Sequence, residues 1–386
     1  MTKIPYGRQH VTAEDVAAVV DTLISDYLTQ GPKVAEFEER FADYVGAPYA
    51  ISVSNATAGL HIAAKALGCA PGQRVIVTPV TFAASANCIR FCGADVEFCD
   101  IDPKTFLLDL DRLEEMIAAK PEGYYSGVVV VDFAGYPVDA RRLRGIADRH
   151  GLWVIEDACH APGAWRKYEG ETVKTGDCRY ADATVFSFHP VKHIATGEGG
   201  MVTARRPEIA ERLRSLRTHG ITKDPDRLEK NDGGWYYEMQ ELGFNYRLTD
   251  MQAALGVSQL SRADANLDRR IEIARRYDEA FADLPEVETP WREEDVKHAF
   301  HLYIIQAPRR KELYDWLHGQ GILAQVHYVP LHLMPYYRGL GSQPGDCPNA
   351  EAYYSRCLSL PMYPTLTPAD QQRVIDAVRS FFGREF

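Results

Sequence analysis

Long hydrophobic runs and clusters of like charge are both missing from this sequence. The longest apolar runs, such as Gly127–Val131, have the length of a single strand, and residues 1–11 contain no apolar core typical of a secretion signal. Acidic residues outnumber basic ones by 54 to 43, and no lysine- or arginine-rich segment occurs. We therefore expect a cytoplasmic protein with no nucleic-acid partner and no membrane partner, in which any anionic ligand is held by local devices such as helix N-termini.

Two motifs of common protein classes are also absent. No glycine-rich GxGxxG turn follows the first predicted strand, where the sequence reads SNATAG, and this argues against a nicotinamide-dependent dehydrogenase. The cysteines form no CxxC pair and have no companion histidines at ligand spacing, so we expect reduced, structural thiols and no metal site. The eight cysteines are at positions 69, 88, 92, 99, 159, 178, 347 and 357.

The chain does contain a regular alternation of short apolar runs and helical patterns. With 386 residues, 46% hydrophobic and 25% charged, it is long enough for two or three packed units. Alternating strands and helices predict an α/β fold with a central, mainly parallel sheet of seven strands. The predicted strands are residues 50–54, 75–79, 96–100, 128–132, 153–157, 183–188 and 200–204.

The pattern changes on either side of this block. Helices are predicted from Thr12, which has Asp15 three residues later, and over residues 34–45, which end at Gly46. Residues 224–237 are polar and predict a surface excursion, and the C-terminal part mixes helices with short strands. We expect a large domain over residues 1–250 and a smaller α+β domain over residues 251–386.

Two predicted strand ends are suited to a phosphorylated, flat ligand. Ser54-Asn55-Ala56-Thr57 follows a strand and opens a helix, so its backbone N–H groups and the positive helix end favour a phosphate, although a simple helix cap explains it equally well. Phe82 follows the next strand and could stack on a heteroaromatic ring or pack in the core. Ligands bind at the carboxyl ends of strands in open parallel sheets, where these residues are predicted.

Two further strand ends carry an acid and a lysine. Asp157 ends a buried strand and needs a charged partner, either a protonated pyridine nitrogen or a structural ion pair. Lys192 lies in SFHPVK after another strand, where a crevice would lower its pKa and make it a nucleophile, whereas a lone loop lysine is usually solvated. Phosphate cradle, aromatic ring, acid and lysine together, in this order, favour pyridoxal-phosphate binding.

Six motifs in register resemble one known family over essentially the whole chain. They are SNATAGLHIA (54–63), VTFAASAN (80–87), EDACHAPGA (156–164), FSFHPVKHIATGEGG (186–200), GFNYRLTDMQAALGVSQL (243–260) and GILAQVHYVP (321–330). The sequence is similar to the DegT/DnrJ/StrS sugar aminotransferases. The resemblance implies a fold-type I aminotransferase that uses pyridoxal 5'-phosphate (PLP), and a homodimer with active sites shared between subunits.

The resemblance also implies roles for individual residues. Lys192 matches the lysine that forms the Schiff base with PLP, and Asp157 matches the acid that pairs with the pyridine nitrogen. Cofactor contacts are further implied for Ala56, Thr57, Phe82, His160, Ser187 and Asn245, the last reaching the phosphate from the neighbouring subunit. Substrate contacts are implied for His189, Arg247, His327 and Tyr328, although Arg247 could instead brace the interface.

Within the family, the resemblance is strongest to enzymes that aminate a UDP-linked 4-keto-6-deoxy-N-acetylhexosamine. L-Glutamate is the expected amino donor and a UDP-4-keto sugar the expected acceptor. A UDP-4-keto-pentose remains an alternative acceptor, because enzymes acting on it share the phosphate and lysine motifs. A dehydratase on the same fold would usually replace Lys192 by histidine, and a non-catalytic sugar-sensing protein would not need Asp157, Lys192 and Asn245.

Overall fold

The computed structural model describes residues 2–383 and contains sixteen strands within that range. Several are only two residues long and form small pairs outside the main sheet. The strands are β1 (Ile4–Pro5), β2 (Tyr49–Val53), β3 (Arg74–Val77), β4 (Asp95–Phe98), β5 (Gly127–Val131), β6 (Trp153–Asp157), β7 (Trp165–Tyr168), β8 (Glu171–Lys174), β9 (Ala183–Ser187), β10 (Gly200–Ala204), β11 (Ile221–Thr222), β12 (Glu238–Met239), β13 (Val296–Lys297), β14 (Tyr303–Gln306), β15 (Ile322–Leu323) and β16 (Cys357–Leu360).

Thirteen α-helices accompany these strands in the same part of the chain. No helix within residues 2–383 is long and apolar enough to cross a membrane. The helices are α1 (Ala13–Leu23), α2 (Pro32–Val45), α3 (Ala56–Ala66), α4 (Ala84–Phe91), α5 (Leu110–Ala118), α6 (Ala140–Arg149), α7 (Pro207–Arg217), α8 (Asp250–Leu260), α9 (Ala263–Phe281), α10 (Arg310–Gly319), α11 (Pro335–Arg338), α12 (Pro348–Arg356) and α13 (Pro368–Phe381).

The central sheet has seven strands in the order β2-β10-β9-β6-β5-β3-β4. Strand β10 is antiparallel to both of its neighbours, and all other neighbouring strands are parallel. The seven predicted strands are the seven strands of this sheet, with boundaries within two residues of those expected. The predicted α/β fold with a mainly parallel central sheet is therefore confirmed.

Alternating side chains of the strands fill two hydrophobic layers, one on each face of the sheet. Val75, Val77 and Ile155 belong to one buried cluster, with α3, α4 and α7 packed over it. Ile76 and Val154 belong to the other, which also contains residues of α5 and α6. Helices on both faces leave only the two edges and the strand ends of the sheet open.

Helix α2 shows how local sequence fixes an element beside the sheet. Pro32 opens the helix, and the carboxylate of Asp250 accepts hydrogen bonds from the backbone nitrogens of Gly31 at 2.8 Å and Lys33 at 2.9 Å. Gly46 ends it in the left-handed conformation with φ of 80°. The predicted end at Gly46 is confirmed.

A separate hydrophobic cluster forms in the C-terminal part of the chain. It combines side chains from α9, α10, α13, β14 and β16, and it also contains Ile4. Strand β1 pairs in parallel with β15, with Ile4 opposite Ile322. Residues 224–237 are mostly exposed and contain only one short 3-10 helix, as expected for a surface excursion.

Candidate active site

The segments that follow β2 and β9 lie at the same end of the sheet, because β10 is between these two strands and antiparallel to both. Gly200, the first residue of β10, is opposite Val53 on one side and Ser187 on the other. A Cβ atom at Gly200 would lie 2.8 Å from the backbone nitrogen of Ala56, so only glycine permits this close approach. Ser187 and the start of α3 are thereby brought to one edge of the sheet, as the sequence predicts.

The start of α3 provides free donors for an anion. Asn55 caps the helix by accepting a hydrogen bond from the backbone nitrogen of Ala58 at 2.9 Å. The N–H groups of Ala56 and Thr57 are at the first two helix positions, where no acceptor exists within the helix. Together with the positive helix end, they form a site suited to phosphate.

Asp157 ends β6 and is 5% exposed. One carboxylate oxygen accepts a hydrogen bond of 2.6 Å from the Ser85 hydroxyl, and the other accepts one of 3.2 Å from the backbone nitrogen of Cys159. The hydroxyls of Ser85 and Thr81 are 2.7 Å apart. A hydrogen-bond relay from Thr81 through Ser85 thus holds the acid on the α4 side of the sheet. The sequence did not predict this relay.

Lys192 lies in the tight loop between β9 and β10. Its backbone nitrogen donates to the carbonyl of His189 at 2.8 Å, and the loop closes where the backbone nitrogen of Phe188 donates to Gly199 at 2.9 Å. Burial lowers the pKa of the Lys192 amine, while the acidic groups of Cys159 and Asp157 partly oppose this and the positive charge of Arg270 adds to it. A neutral amine is a nucleophile and a proton carrier, so this environment is suited to both roles.

His160 and Tyr328 stand beside this lysine. The backbone nitrogen of Ala134 donates to Nδ1 of His160 at 3.2 Å, and Nε2 of His160 lies 3.4 Å from the Tyr328 hydroxyl. Burial, followed by the positive charge of Lys192, lowers the pKa of His160 well below its usual value, so the ring is neutral. Phe82 is 61% exposed, and its ring centroid is 6.2 Å from that of Tyr328.

Three more histidines surround the lysine, and only His327 is predicted from the sequence. His301 packs against His160 with ring centroids 4.3 Å apart, and His193 lies 5.8 Å from His301. Burial lowers the pKa of His327 to about 4, and the charge of Lys192 contributes. Burial also lowers the pKa of His193 and His301 well below the usual value, so these imidazoles are neutral and add no positive charge beside the amine.

Asn245, Arg247 and His189 are separate from this group within one chain. Asn245 and His189 are exposed, and Arg247 is half-buried. The side chains of Asn245 and Arg247 form no hydrogen bond or ion pair with any residue in the range 2–383. The backbone of Asn245 forms an isolated antiparallel bridge with Thr218, and the carbonyl of neighbouring Tyr246 accepts a hydrogen bond of 2.8 Å from the backbone nitrogen of Ser54.

The arrangement fits a flat pyridine ring that carries an aldehyde and a phosphate. Such a ring would meet the carboxylate of Asp157, the amine of Lys192, and the donors at the start of α3 and at Ser187. When bound, PLP supplies an electron sink for the carbon that gains or loses an amino group. Fold and site together define a PLP-dependent aminotransferase of fold type I.

The family follows from a direct comparison with known sequences. Residues 9–379 match the model of the DegT/DnrJ/EryC1/StrS aminotransferase family. The chain belongs to this family, and it is a PLP-dependent sugar aminotransferase.

Three relatives illustrate the range of similarity. The chain is 40% identical to the spore coat polysaccharide biosynthesis protein SpsC of Bacillus subtilis, covering 97% of this chain and 96% of the relative. It is 37% identical to the UDP-4-amino-4,6-dideoxy-N-acetyl-beta-L-altrosamine transaminase of Campylobacter jejuni, covering 99% and 98%. Among solved structures, Helicobacter pylori PseC, an aminotransferase of pseudaminic acid biosynthesis, superposes with a TM-score of 0.90 at 30% identity, covering 99% of this chain and 100% of the other.

Proposed function

We propose that the protein transfers the amino group of L-glutamate to the C4 ketone of a UDP-linked 4-keto-6-deoxy-N-acetylhexosamine. The product would be UDP-4-amino-4,6-dideoxy-N-acetyl-β-L-altrosamine, an intermediate of pseudaminic acid biosynthesis. The observation that carries this proposal is the 37% identity to the Campylobacter transaminase over 99% of the chain. The structural similarity to PseC supports the same substrate class.

Within this proposal, the residues around Lys192 divide the work of catalysis. Lys192 would hold the cofactor through its aldehyde, and its amine would act as the proton carrier of the transfer. Asp157, held by Ser85, would pair with the ring nitrogen. Ala56, Thr57 and Ser187 bind the phosphate.

Six further residues complete the proposed site. Phe82 would stack on the cofactor ring, and neutral His160 would lie near the ring hydroxyl. His327 and Tyr328 face the nucleotide sugar, with Tyr328 positioned by its contacts to His160 and Phe82. His189 and Arg247 are the further substrate contacts that we propose.

The proposed active unit is a homodimer. One side of α1 and the segment after it expose large apolar side chains that no other part of residues 2–383 covers, including Val20, Ile24 and Tyr27. Ile24 is 81% exposed, which is unusual for an isoleucine on a helix end. A second copy would cover this surface and supply Asn245 to the phosphate site of its partner.

The test is a substrate panel. The purified protein with PLP and L-glutamate is incubated with several UDP-4-keto sugars, and release of 2-oxoglutarate is followed. We expect the fastest turnover with the 4-keto-6-deoxy-N-acetylhexosamine, and product stereochemistry is read by NMR. Faster turnover with a UDP-4-keto-pentose such as UDP-4-keto-arabinose would replace the proposed acceptor but keep the reaction class.

The substrate panel should contain a second class of acceptor because of one sequence similarity. The chain is more similar to SpsC, at 40% identity, than to the Campylobacter transaminase. The name of SpsC refers to polysaccharide biosynthesis and specifies no acceptor, so the panel also includes nucleotide 4-keto sugars without the N-acetyl group. Absence of turnover with every sugar, together with tight sugar binding, would favour a non-catalytic sugar-sensing protein.

A further inference from the structure

Arg270 is a cation buried in the protein interior behind Lys192. It lies on α9 and is 1% exposed. One terminal guanidinium nitrogen donates to three backbone carbonyls, those of Phe300 at 3.2 Å, His301 at 3.3 Å and Met362 at 3.1 Å. The side chain therefore ties α9 to the segment of residues 298–302 and to the end of β16.

The segment of residues 298–302 forms the wall behind the lysine loop. The Nε2–H group of His193, the residue after Lys192, donates to the carbonyl of Ala299 at 2.8 Å. His301 packs against His160. Phe300, between them, has a φ of 47°, in the left-handed region that a phenylalanine rarely adopts, so its conformation depends on the contacts around it.

The charge of Arg270 has no carboxylate partner within residues 2–383. No ion pair involves it, and its hydrogen bonds go only to neutral carbonyls. Burying an uncompensated cation is costly, and an apolar side chain of similar size is often tolerated at such a position. A function that uses the charge would explain why the arginine is there.

The charge acts on the groups around the lysine amine. It lowers the pKa of Lys192, where its effect is the smallest after those of burial, Cys159 and Asp157, and it also lowers the pKa of His193 and His301. Asp157 and Cys159 act on Lys192 in the opposite direction. The titratable and charged groups that face Lys192 are Asp157, Cys159, His160, His193, Arg270, His301 and His327.

We propose that Arg270 is a positioning residue for Lys192, acting through the backbone of residues 299–301 and through a fixed positive charge behind the amine. It touches neither cofactor nor substrate. It holds the wall that fixes His193 and His301, and its charge favours the neutral, reactive form of the amine. This inference rests on the proposed role of Lys192 but not on the proposed sugar.

Three variants separate charge from shape. Arg270→Met removes the charge and the hydrogen bonds, Arg270→Gln removes the charge but keeps N–H donors for the carbonyls, and Arg270→Lys keeps the charge. Arg269→Met is the matched control, because Arg269 is on the same helix and pairs with Glu272 at the surface. If Arg270→Met does not fold, Arg270→Gln provides the same comparison.

Two measurements are made without any sugar. In the apoprotein, the rate of Lys192 modification by an amine-specific reagent is mapped by peptide mass spectrometry across pH. In the holoprotein, the absorbance of bound PLP is titrated with pH. We expect both midpoints to rise in Arg270→Gln and Arg270→Met, because a positive charge behind the amine is lost, and to stay at the wild-type value in Arg270→Lys and Arg269→Met.

The outcomes distinguish this inference from the assignment of Lys192. Borohydride reduction followed by peptide mapping should fix the cofactor to residue 192. If the cofactor is fixed there but both midpoints stay unchanged in a folded Arg270→Gln or Arg270→Met variant, Arg270 is only structural and the proposal is overturned. It is also overturned if Arg270→Lys shifts as far as Arg270→Gln, since charge would then not be the cause.

Discussion

At position 157, a single carboxylate is oriented from two sides by its own chain. Ser85 donates to one oxygen and the backbone nitrogen of Cys159 to the other, so the side chain cannot rotate freely. Both donors are neutral and stabilise a charged acceptor, which is the stronger class of hydrogen bond. The acid is therefore preorganised for a cationic partner before any ligand binds.

Removing the Ser85 hydroxyl tests this preorganisation. Because a hydrogen bond to a charged group contributes about 1.5–3 kcal/mol, we expect Ser85→Ala to weaken PLP binding about tenfold or more. Affinity is measured by fluorescence titration of the apoprotein. Ser355→Ala removes an exposed hydroxyl bonded to a carbonyl and serves as the control; equal affinity of the two variants would contradict the relay.

Lys192 is the residue whose loss should be most severe. We expect Lys192→Ala to bind cofactor yet to retain less than about one thousandth of the turnover, because no other amine can carry the proton. The measurement is 2-oxoglutarate release with glutamate and the preferred sugar. Lys311→Ala, at an exposed lysine paired with Asp315, should be fully active; activity of Lys192→Ala at that level would refute the assignment.

The sequence predicted those site residues that lie at a strand end or within a few positions after one. Lys192, Asp157 and Ser187 had a local signal, because an apolar strand pattern that ends in polar residues is visible in the sequence alone. Ser85, His301 and Arg270 had no such local signal. They lie on helices or loops that are distant in sequence from the residues they contact, and only packing brings them to the site. The cofactor, substrate and catalytic roles of individual residues stay predictions.

At the scale of elements, α1 is joined to α8 by one buried acid. Asp15, fully buried, accepts hydrogen bonds from Ser258 at 2.6 Å, Gln259 at 2.7 Å and Arg262 at 2.7 Å, and from the backbone of Thr12 at 2.9 Å. Burial opposes ionisation, but these hydrogen bonds and the charge of Arg262 outweigh it and lower the pKa of Asp15. The helix start predicted at Thr12 thus also forms a tertiary contact.

The lowered pKa gives a defined pH dependence. Asp15 stabilises the fold above the unfolded-state pKa of about 3.9, and this contribution is lost as pH falls through the lower folded-state pKa. At neutral pH we expect Asp15→Asn to lower the free energy of unfolding, measured by denaturant titration, by about 3 kcal/mol. This difference should shrink below about pH 4. Asp21→Asn, exposed on the same helix, is the control; a difference independent of pH would contradict this account.

Elements with strong periodicity were predicted well, and short ones were not. The hairpin of β7 and β8 was missed, although Glu169 and Gly170 form a two-residue turn with φ of 54° and 87° between them. Strand β16 was missed because four buried residues give too little pattern. The C-terminal part mixes helices with short strands as expected, but β15 is confined to Ile322–Leu323, with one isolated bridge at Gln325.

At the scale of the whole molecule, the exposed apolar side chains of α1 and the exposed side chain of Asn245 are both explained if a second copy packs against them. The expected division into residues 1–250 and 251–386 and the proposed homodimer stay predictions, because a local sequence pattern does not determine folding units or assembly.

One charge introduced on that surface should separate the subunits. We expect Ile24→Glu to halve the mass measured by light scattering and to abolish turnover, because Asn245 would no longer reach the partner's phosphate site. Leu340→Glu, which alters a 53% exposed leucine elsewhere, should leave both unchanged. An Ile24→Glu protein that remains dimeric would exclude α1 from the interface.

The pairing of β1 with β15 has a consequence for dissecting the protein. Ile4 is 1% exposed and packs among side chains contributed by residues more than 250 positions later. A fragment comprising only residues 251–386 would lack Ile4, so its core would contain a cavity and Ile322 would have no partner strand. Adding back a short peptide with the sequence of residues 2–11 should restore cooperative melting to such a fragment.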